Sequence, residues 1–137
     1  MNRKALIVDD RENWRIVLET LLRKKGFAIF SASCFVDANT LIEQEIFDLA
    51  IFDARLIDNE EFNLDGLRLL SIIKEKTPSI KTILISDYPN SFSENPEQLE
   101  INPPEGADKF MYKVPKGSSF DKHKFNEIIS ELFNEKF

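Results

Sequence analysis

Five polar residues each close, or directly follow, a short apolar run. Ala5-Leu6-Ile7-Val8 leads into Asp9 and Asp10, and Leu49-Ala50-Ile51-Phe52 into Asp53. Thr82-Ile83-Leu84-Ile85 ends at Ser86, and the run from Lys109 to Tyr112 ends at Lys113. Three carboxylates brought together repel, and one of them is driven to protonate. A bound divalent cation removes that conflict. All-oxygen ligation suits Mg²⁺, and no His or Cys cluster competes for a softer metal. A cation held this way, with the Lys113 ammonium beside it, can neutralise the oxygens of a phosphoryl group. Ser86 can donate a hydrogen bond to it, and one carboxylate can be the nucleophile. Asp53 stands alone at the end of its run and is the candidate nucleophile. Asp9 and Asp10 are adjacent and are the candidate metal ligands.

For these groups to meet, the runs that carry them must be neighbouring parallel strands. The runs are too short for helices and read as fully buried strands. Between them the pattern changes to a helical period. Residues Asn13 to Lys25 place Trp14, Val17, Leu18, Leu21 and Leu22 on one face, with Gly26 as the stop. Phe27 to Ala32 is a further strand, and Ser33 is placed to cap a helix over Phe35 to Glu45. Asp65-Gly66 opens a helix with Leu67, Leu69, Leu70 and Ile73 inward, stopped by Thr77-Pro78. Asn95-Pro96 suggests a short helix through Leu99 to Ile101 in an otherwise irregular, proline-rich segment. The last helix starts near Asp121 and carries Phe125, Ile128, Ile129, Leu132 and Phe133.

The order is βαβαβαβαβα, which predicts a doubly wound (βα)5 sandwich around a five-stranded parallel sheet, with the fourth helix short or irregular. In such a sheet all strand carboxyl ends point one way, and ligands bind there. The whole chain, residues 1–137, reads as a single domain.

Composition narrows the class. A hydrophobic fraction of 42% and a charged fraction of 31% exclude a disordered chain. A net charge of −6 argues against a nucleic-acid-binding surface and suits an acidic site awaiting a cation. Cys34 is the single cysteine, so no internal disulfide forms, which fits a cytoplasmic protein. No apolar stretch approaches the ~20 residues of a membrane-spanning helix, and the run Ala5 to Val8 ends in two acids rather than a signal-peptide cleavage site.

Val8-Asp9-Asp10, Asp53 after a buried strand, Asp65-Gly66, Ser86, and Gly106-Ala107-Asp108 before Lys113 occur in an order that resembles the receiver domain of the two-component response-regulator family. The resemblance covers essentially the whole chain and implies a flavodoxin-like fold. It implies phosphorylation of Asp53 by a sensor histidine kinase or phosphotransfer protein. Mg²⁺ would be held by Asp9, Asp10, Asp53 and the backbone carbonyl of Arg55. Lys113 would pair with the phosphoryl group, and Ser86 would move with Phe110 as the coupled switch pair. Such a chain is a signalling switch rather than an enzyme. Its chemistry is limited to accepting a phosphoryl group and slowly releasing it, with output to an effector domain or protein and no direct binding of nucleic acid or membrane.

Several residues depart from the family pattern. The proline after Lys113 comes one place late, as Pro115 behind Val114, and Ile57 stands where the family often has proline. The loop from Asp53 to Gly66 is long and acidic. Asp87, where a small residue is usual, together with Arg55 and Tyr88 is expected to alter how long a phosphoryl group persists. Two other functions are weighed. A phosphohydrolase of the haloacid-dehalogenase type wants an acid two residues after the nucleophile, where Arg55 stands. A degenerate receiver would bind partners without being phosphorylated. Among the remaining residues, Asp9 and Asp10 could simply cap the first helix. His123 reads as a solvated helix residue, and Cys34 as buried and inert. Trp14, if near the site, would report Mg²⁺ by its fluorescence.

Overall fold

The apolar runs form the five strands β1 (Lys4–Val8), β2 (Ala28–Ala32), β3 (Leu49–Asp53), β4 (Lys81–Ser86) and β5 (Lys109–Tyr112). The computed structural model describes residues 2–56, 63–87, 98–115 and 119–137. All strand pairs are parallel, in the order β2-β1-β3-β4-β5. β3 lies at the centre and every one of its residues is buried. Among the described residues four helices connect and cover the sheet: α1 (Glu12–Arg23), α2 (Phe35–Gln44), α3 (Asp65–Lys76) and α4 (Lys122–Phe133).

Strand side chains alternate between two apolar clusters. Leu6, Val8, Ala50, Phe52, Leu84, Phe110 and Tyr112 pack with Ala38 and Ile42 of α2 and with Leu69, Leu70 and Ile73 of α3. Ala5, Ile7, Leu49, Ile51, Ile83, Ile85 and Met111 face the other way. They pack with Leu18, Leu21 and Leu22 of α1 and with Phe125, Ile128 and Ile129 of α4. A slip of one residue would exchange the two sets, so burial on both faces fixes the register. Because the register is fixed, so is the height at which each strand delivers its last residue.

Local differences from the sequence expectation have local causes. α1 stops at Arg23, two residues early, because Gly26 (φ 89°) turns the chain and Phe27 N–H closes back on Leu22 O at 3.2 Å. The residue before α2 is Cys34, without a side-chain cap bond, so Ser33 does not cap that helix, and Cys34 is half-buried rather than buried. Asp121 does cap α4, accepting from Lys124 N–H at 3.0 Å. Between β4 and β5 the described residues include a turn in which Asn102 N–H donates to Gln98 O at 2.8 Å, and a second in which Ala107 N–H donates to Pro104 O at 3.0 Å. Leu99 anchors the first turn in the α2–α3 cluster. The expected start of a short helix at Asn95-Pro96 lies outside the described residues. No helix among the described residues is long and apolar enough to cross a membrane.

Candidate functional site

The chain leaves β1 toward β2 on one side and returns as β3 on the other, so a crevice opens at the carboxyl ends of β1 and β3. Val8 pairs with Phe52, which brings the next residues, Asp9 and Asp53, out side by side. Both are buried, and Asp10 is half-buried beside them. One oxygen from each of the three carboxylates lies within 4.8 Å of the others. Oxygen donors alone at that spacing fit a hard divalent cation.

Lys113 reaches the same place from β5. Its N–H continues the ladder onto Ser86 O at 2.9 Å, which carries the side chain inward. The ammonium lies 2.8 Å from Asp9 Oδ2 and 3.0 Å from Asp53 Oδ2, and the side chain is 1% exposed. It is not a solvated lysine. The Trp14 ring lies beneath it, 5.6 Å from Nζ to the ring centroid, and packs edge-on against Phe120. Trp14 therefore sits at the site.

Charge and burial compete in this cluster. Burial is the main cause that pushes the Asp53 carboxyl up, to about 7; Asp9 adds to it, while Lys113 opposes it. Burial alone would pull the Lys113 ammonium down, but Asp53 and Asp9 outweigh that and its pKa is raised. Lys113 thus stays charged, and any proton shared in the cluster sits on a carboxyl group.

Backbone bonds orient the acids. Arg11 N–H donates to Asp9 Oδ1 at 2.9 Å, and Arg55 N–H to Asp53 Oδ1 at 3.3 Å. The Arg15 guanidinium donates to the Asp9 carbonyl at 2.8 Å. The N-cap position of α1 is Arg11, whose own side chain makes no cap bond, and the Asp9 carboxylate holds the N–H of that residue. Ser86 ends β4 one step beyond Ile85, the residue paired with Asp53. Phe110 is buried three residues before Lys113, edge-on to Tyr112 with centroids 4.8 Å apart.

Two contacts were not evident in the sequence, the first made by the glycine of the Asp65-Gly66 motif. Gly66 lies where a Cβ would collide with the backbone carbonyl of Asp53 and come within 2.7 Å of Ala54 Cα. Its N–H donates to Ala54 O at 3.1 Å. A glycine in the first turn of a helix was the available signal, because only a bare backbone allows α3 to touch the end of β3. Arg11 was also missed. Its guanidinium and that of Arg55 both approach Asp87, beside the carboxylates. Tyr88, Ile57 and most of the acidic loop, residues 57–62, lie outside the described residues.

Asp108 belongs to the opposite edge of the sheet. It accepts from Thr82 N–H at 2.8 Å and from Lys74 Nζ at 2.9 Å. Burial raises its pKa, but these bonds outweigh burial and lower it overall. The Gly106-Ala107-Asp108 motif therefore ties β4, β5 and α3 together and is not part of the crevice.

A family model described as the response regulator receiver domain matches residues 5–114. Among curated proteins, the sporulation initiation phosphotransferase F of Bacillus subtilis is 31% identical over 88 residues, which are 64% of this chain and 67% of that protein. The response regulator protein PilR of Pseudomonas aeruginosa is 35% identical over 86 residues, 63% of this chain but only 18% of that protein. A solved CheY-like receiver domain protein from Methanospirillum hungatei is similar over 98% of this chain and 96% of its own. Its identity is 27% and its TM-score 0.75.

Proposed function

The chain belongs to the response regulator receiver domain family, whose members signal through phosphorylation rather than act as enzymes in the usual sense; on that premise we propose that residues 1–137 form a single receiver domain that accepts a phosphoryl group on Asp53. The observation that supports this most is the buried Lys113 ammonium bridging Asp9 and Asp53 within a triad of carboxylates. A buried cation and three acids at one strand edge add little to folding for their desolvation cost. They are instead what a transferring phosphoryl group needs.

An Asp53 carboxylate oxygen attacks the phosphorus of the donor. The donor bond, from a kinase histidine nitrogen or from the acetate oxygen of acetyl phosphate, breaks with its electron pair on the leaving group. The product is an acyl phosphate. Asp9, Asp10, Asp53 and the Arg55 carbonyl would hold Mg²⁺, which when bound neutralises phosphoryl oxygens. Lys113 shifts from the carboxylates to one of those oxygens. Ser86 donates a hydrogen bond to another, and Phe110 repacks as Ser86 moves. Receiver domains interact with histidine kinases and output domains. For this chain the partners are a sensor histidine kinase or phosphotransfer protein, a downstream effector, and a cytoplasmic setting.

Intact-mass measurement after incubation with acetyl phosphate and Mg²⁺ tests this. One phosphoryl adduct is expected on the wild type and none on Asp53→Ala. An adduct that survives Asp53→Ala refutes the assignment. The second reading, a degenerate receiver that only binds partners, is favoured by the Arg11–Asp87–Arg55 contacts beside the pocket. A wild type without any adduct would select it.

A further inference from the structure

The Lys113 ammonium has partners of two kinds. Asp9 and Asp53 hold it through charge, with Nζ at 2.8 and 3.0 Å from their Oδ2 atoms. The Trp14 ring lies against it as well, with Nζ 5.6 Å from the ring centroid, within cation–π range. The lysine side chain is 1% exposed, so little water screens that attraction. The ring is itself braced. Trp14 stands in the first turn of α1 and meets Phe120 edge-on, with centroids 5.5 Å apart. Phe120 rests in turn on Phe125, which is buried in α4. Among the described residues, Trp14 joins neither apolar cluster. Its place is thus set by the lysine and by Phe120 rather than by either core.

We propose that Trp14 is a positioning residue whose indole face keeps the Lys113 ammonium at the pocket when Asp9 and Asp53 turn to a dication, so that the ammonium is in place to meet a phosphoryl oxygen. The proposal rests on Asp53 being the phosphoacceptor. A dication shares the carboxylates with Lys113 and repels its charge, so both ion pairs weaken just as the phosphoryl group arrives. The ring offers no oxygen that a hard cation would take. Its hold on the ammonium therefore persists through the exchange. Without that hold, the flexible four-carbon stem of lysine is free to take other rotamers, and fewer of them aim Nζ at the phosphoryl group. A charged phosphoryl oxygen attracts the ammonium more strongly than a ring face does, so the contact guides Lys113 without trapping it.

Trp14 is the single tryptophan of the chain, so growth on fluorinated tryptophan alters this ring alone. Each fluorine draws charge from the ring face and leaves its shape nearly unchanged. The first reading, by intact mass, is the initial rate at which acetyl phosphate, with Mg²⁺, transfers its phosphoryl to Asp53 and leaves as acetate. That rate should fall about twofold with one ring fluorine and about fourfold with two, and Trp14→Leu should be about tenfold slower. Trp14→Phe, which keeps a weaker aromatic face, should lie between Trp14→Leu and wild type. The second reading needs no phosphoryl group. The Lys113 ε-methylene protons, assigned by their loss in Lys113→Arg, should resonate upfield of those of the exposed Lys122, because the ammonium lies over an aromatic ring. They should stay upfield at saturating Mg²⁺. Movement to the Lys122 position on adding Mg²⁺ overturns the proposal, and so do equal rates across the fluorine series. A phosphorylated wild type that gives either result sinks only the role of Trp14, whereas a wild type that takes no phosphoryl sinks the Asp53 assignment with it. Fluorinated rings keep the size of tryptophan, so the test stands even if Trp14→Leu unfolds.

Discussion

At the scale of single residues, Lys113 decides how the site behaves before any cation arrives. It compensates two buried carboxylates at once. Lys113→Ala leaves them uncompensated, and at pH 8 without Mg²⁺ the variant should lose about 3 kcal/mol of stability by urea unfolding. Asp53 sets a pH dependence of known sign. Its carboxyl is near 3.8 when unfolded and about 7 when folded, so between those values the folded state binds the extra proton. The stabilising contribution is complete below about pH 4 and is lost as pH rises through 7 in metal-free protein. Urea midpoints should fall over that window, and Asp53→Asn should remove most of the fall. The proton leaves when a dication binds, so Mg²⁺ affinity should rise over the same range. Trp14, against the Lys113 ammonium, should give a saturable fluorescence change on Mg²⁺ addition. A Lys113→Met variant should lose most of that change; an unaltered response would mean that Trp14 reports something else. The meeting of Asp9, Asp10, Asp53 and Lys113 was legible in the sequence because these residues follow abruptly on apolar runs. The bridge from Asp87 to Arg11 was not. It depends on the meeting of three loops, and nothing in the spacing of residues 11, 55 and 87 encodes it.

At the scale of elements, contacts at strand ends matter more than helix propensity. α3 begins against the backbone of Asp53, with no room for a methyl group at Gly66. Gly66→Ala should cost about 2–3 kcal/mol by thermal or urea unfolding. By pushing on the Asp53 carbonyl it should also slow phosphorylation at least about tenfold. A stable, fully active variant would show that α3 can retreat. At the far edge, Asp108 ties β4 to β5 and α3. Asp108→Asn should cost about 1–2 kcal/mol at pH 7. Its folded pKa is lowered, so its contribution is full above about 3.8 and fades as pH falls through the lower folded value. The gap between variant and wild type should therefore narrow in acid. Strand positions were readable to within a residue because both faces of the sheet are buried. Helix ends were less so. α1 ends early on a turn set by Gly26 and Phe27, and the residue before α2 is Cys34 rather than Ser33, because these details depend on backbone closure and not on periodicity.

At the scale of the whole molecule, the work of folding and the work of the site fall on different residues. Two apolar clusters on opposite faces hold the sheet. The five polar groups occupy one edge of it, and Arg11, Arg55 and Asp87 form a rim that belongs to neither cluster. That separation has an evolutionary consequence. A substitution in the rim leaves the interior intact, so it escapes the selection against unfolding that constrains Leu6 or Phe52. The rim can then change by one codon at a time, while the architecture beneath it is inherited unchanged.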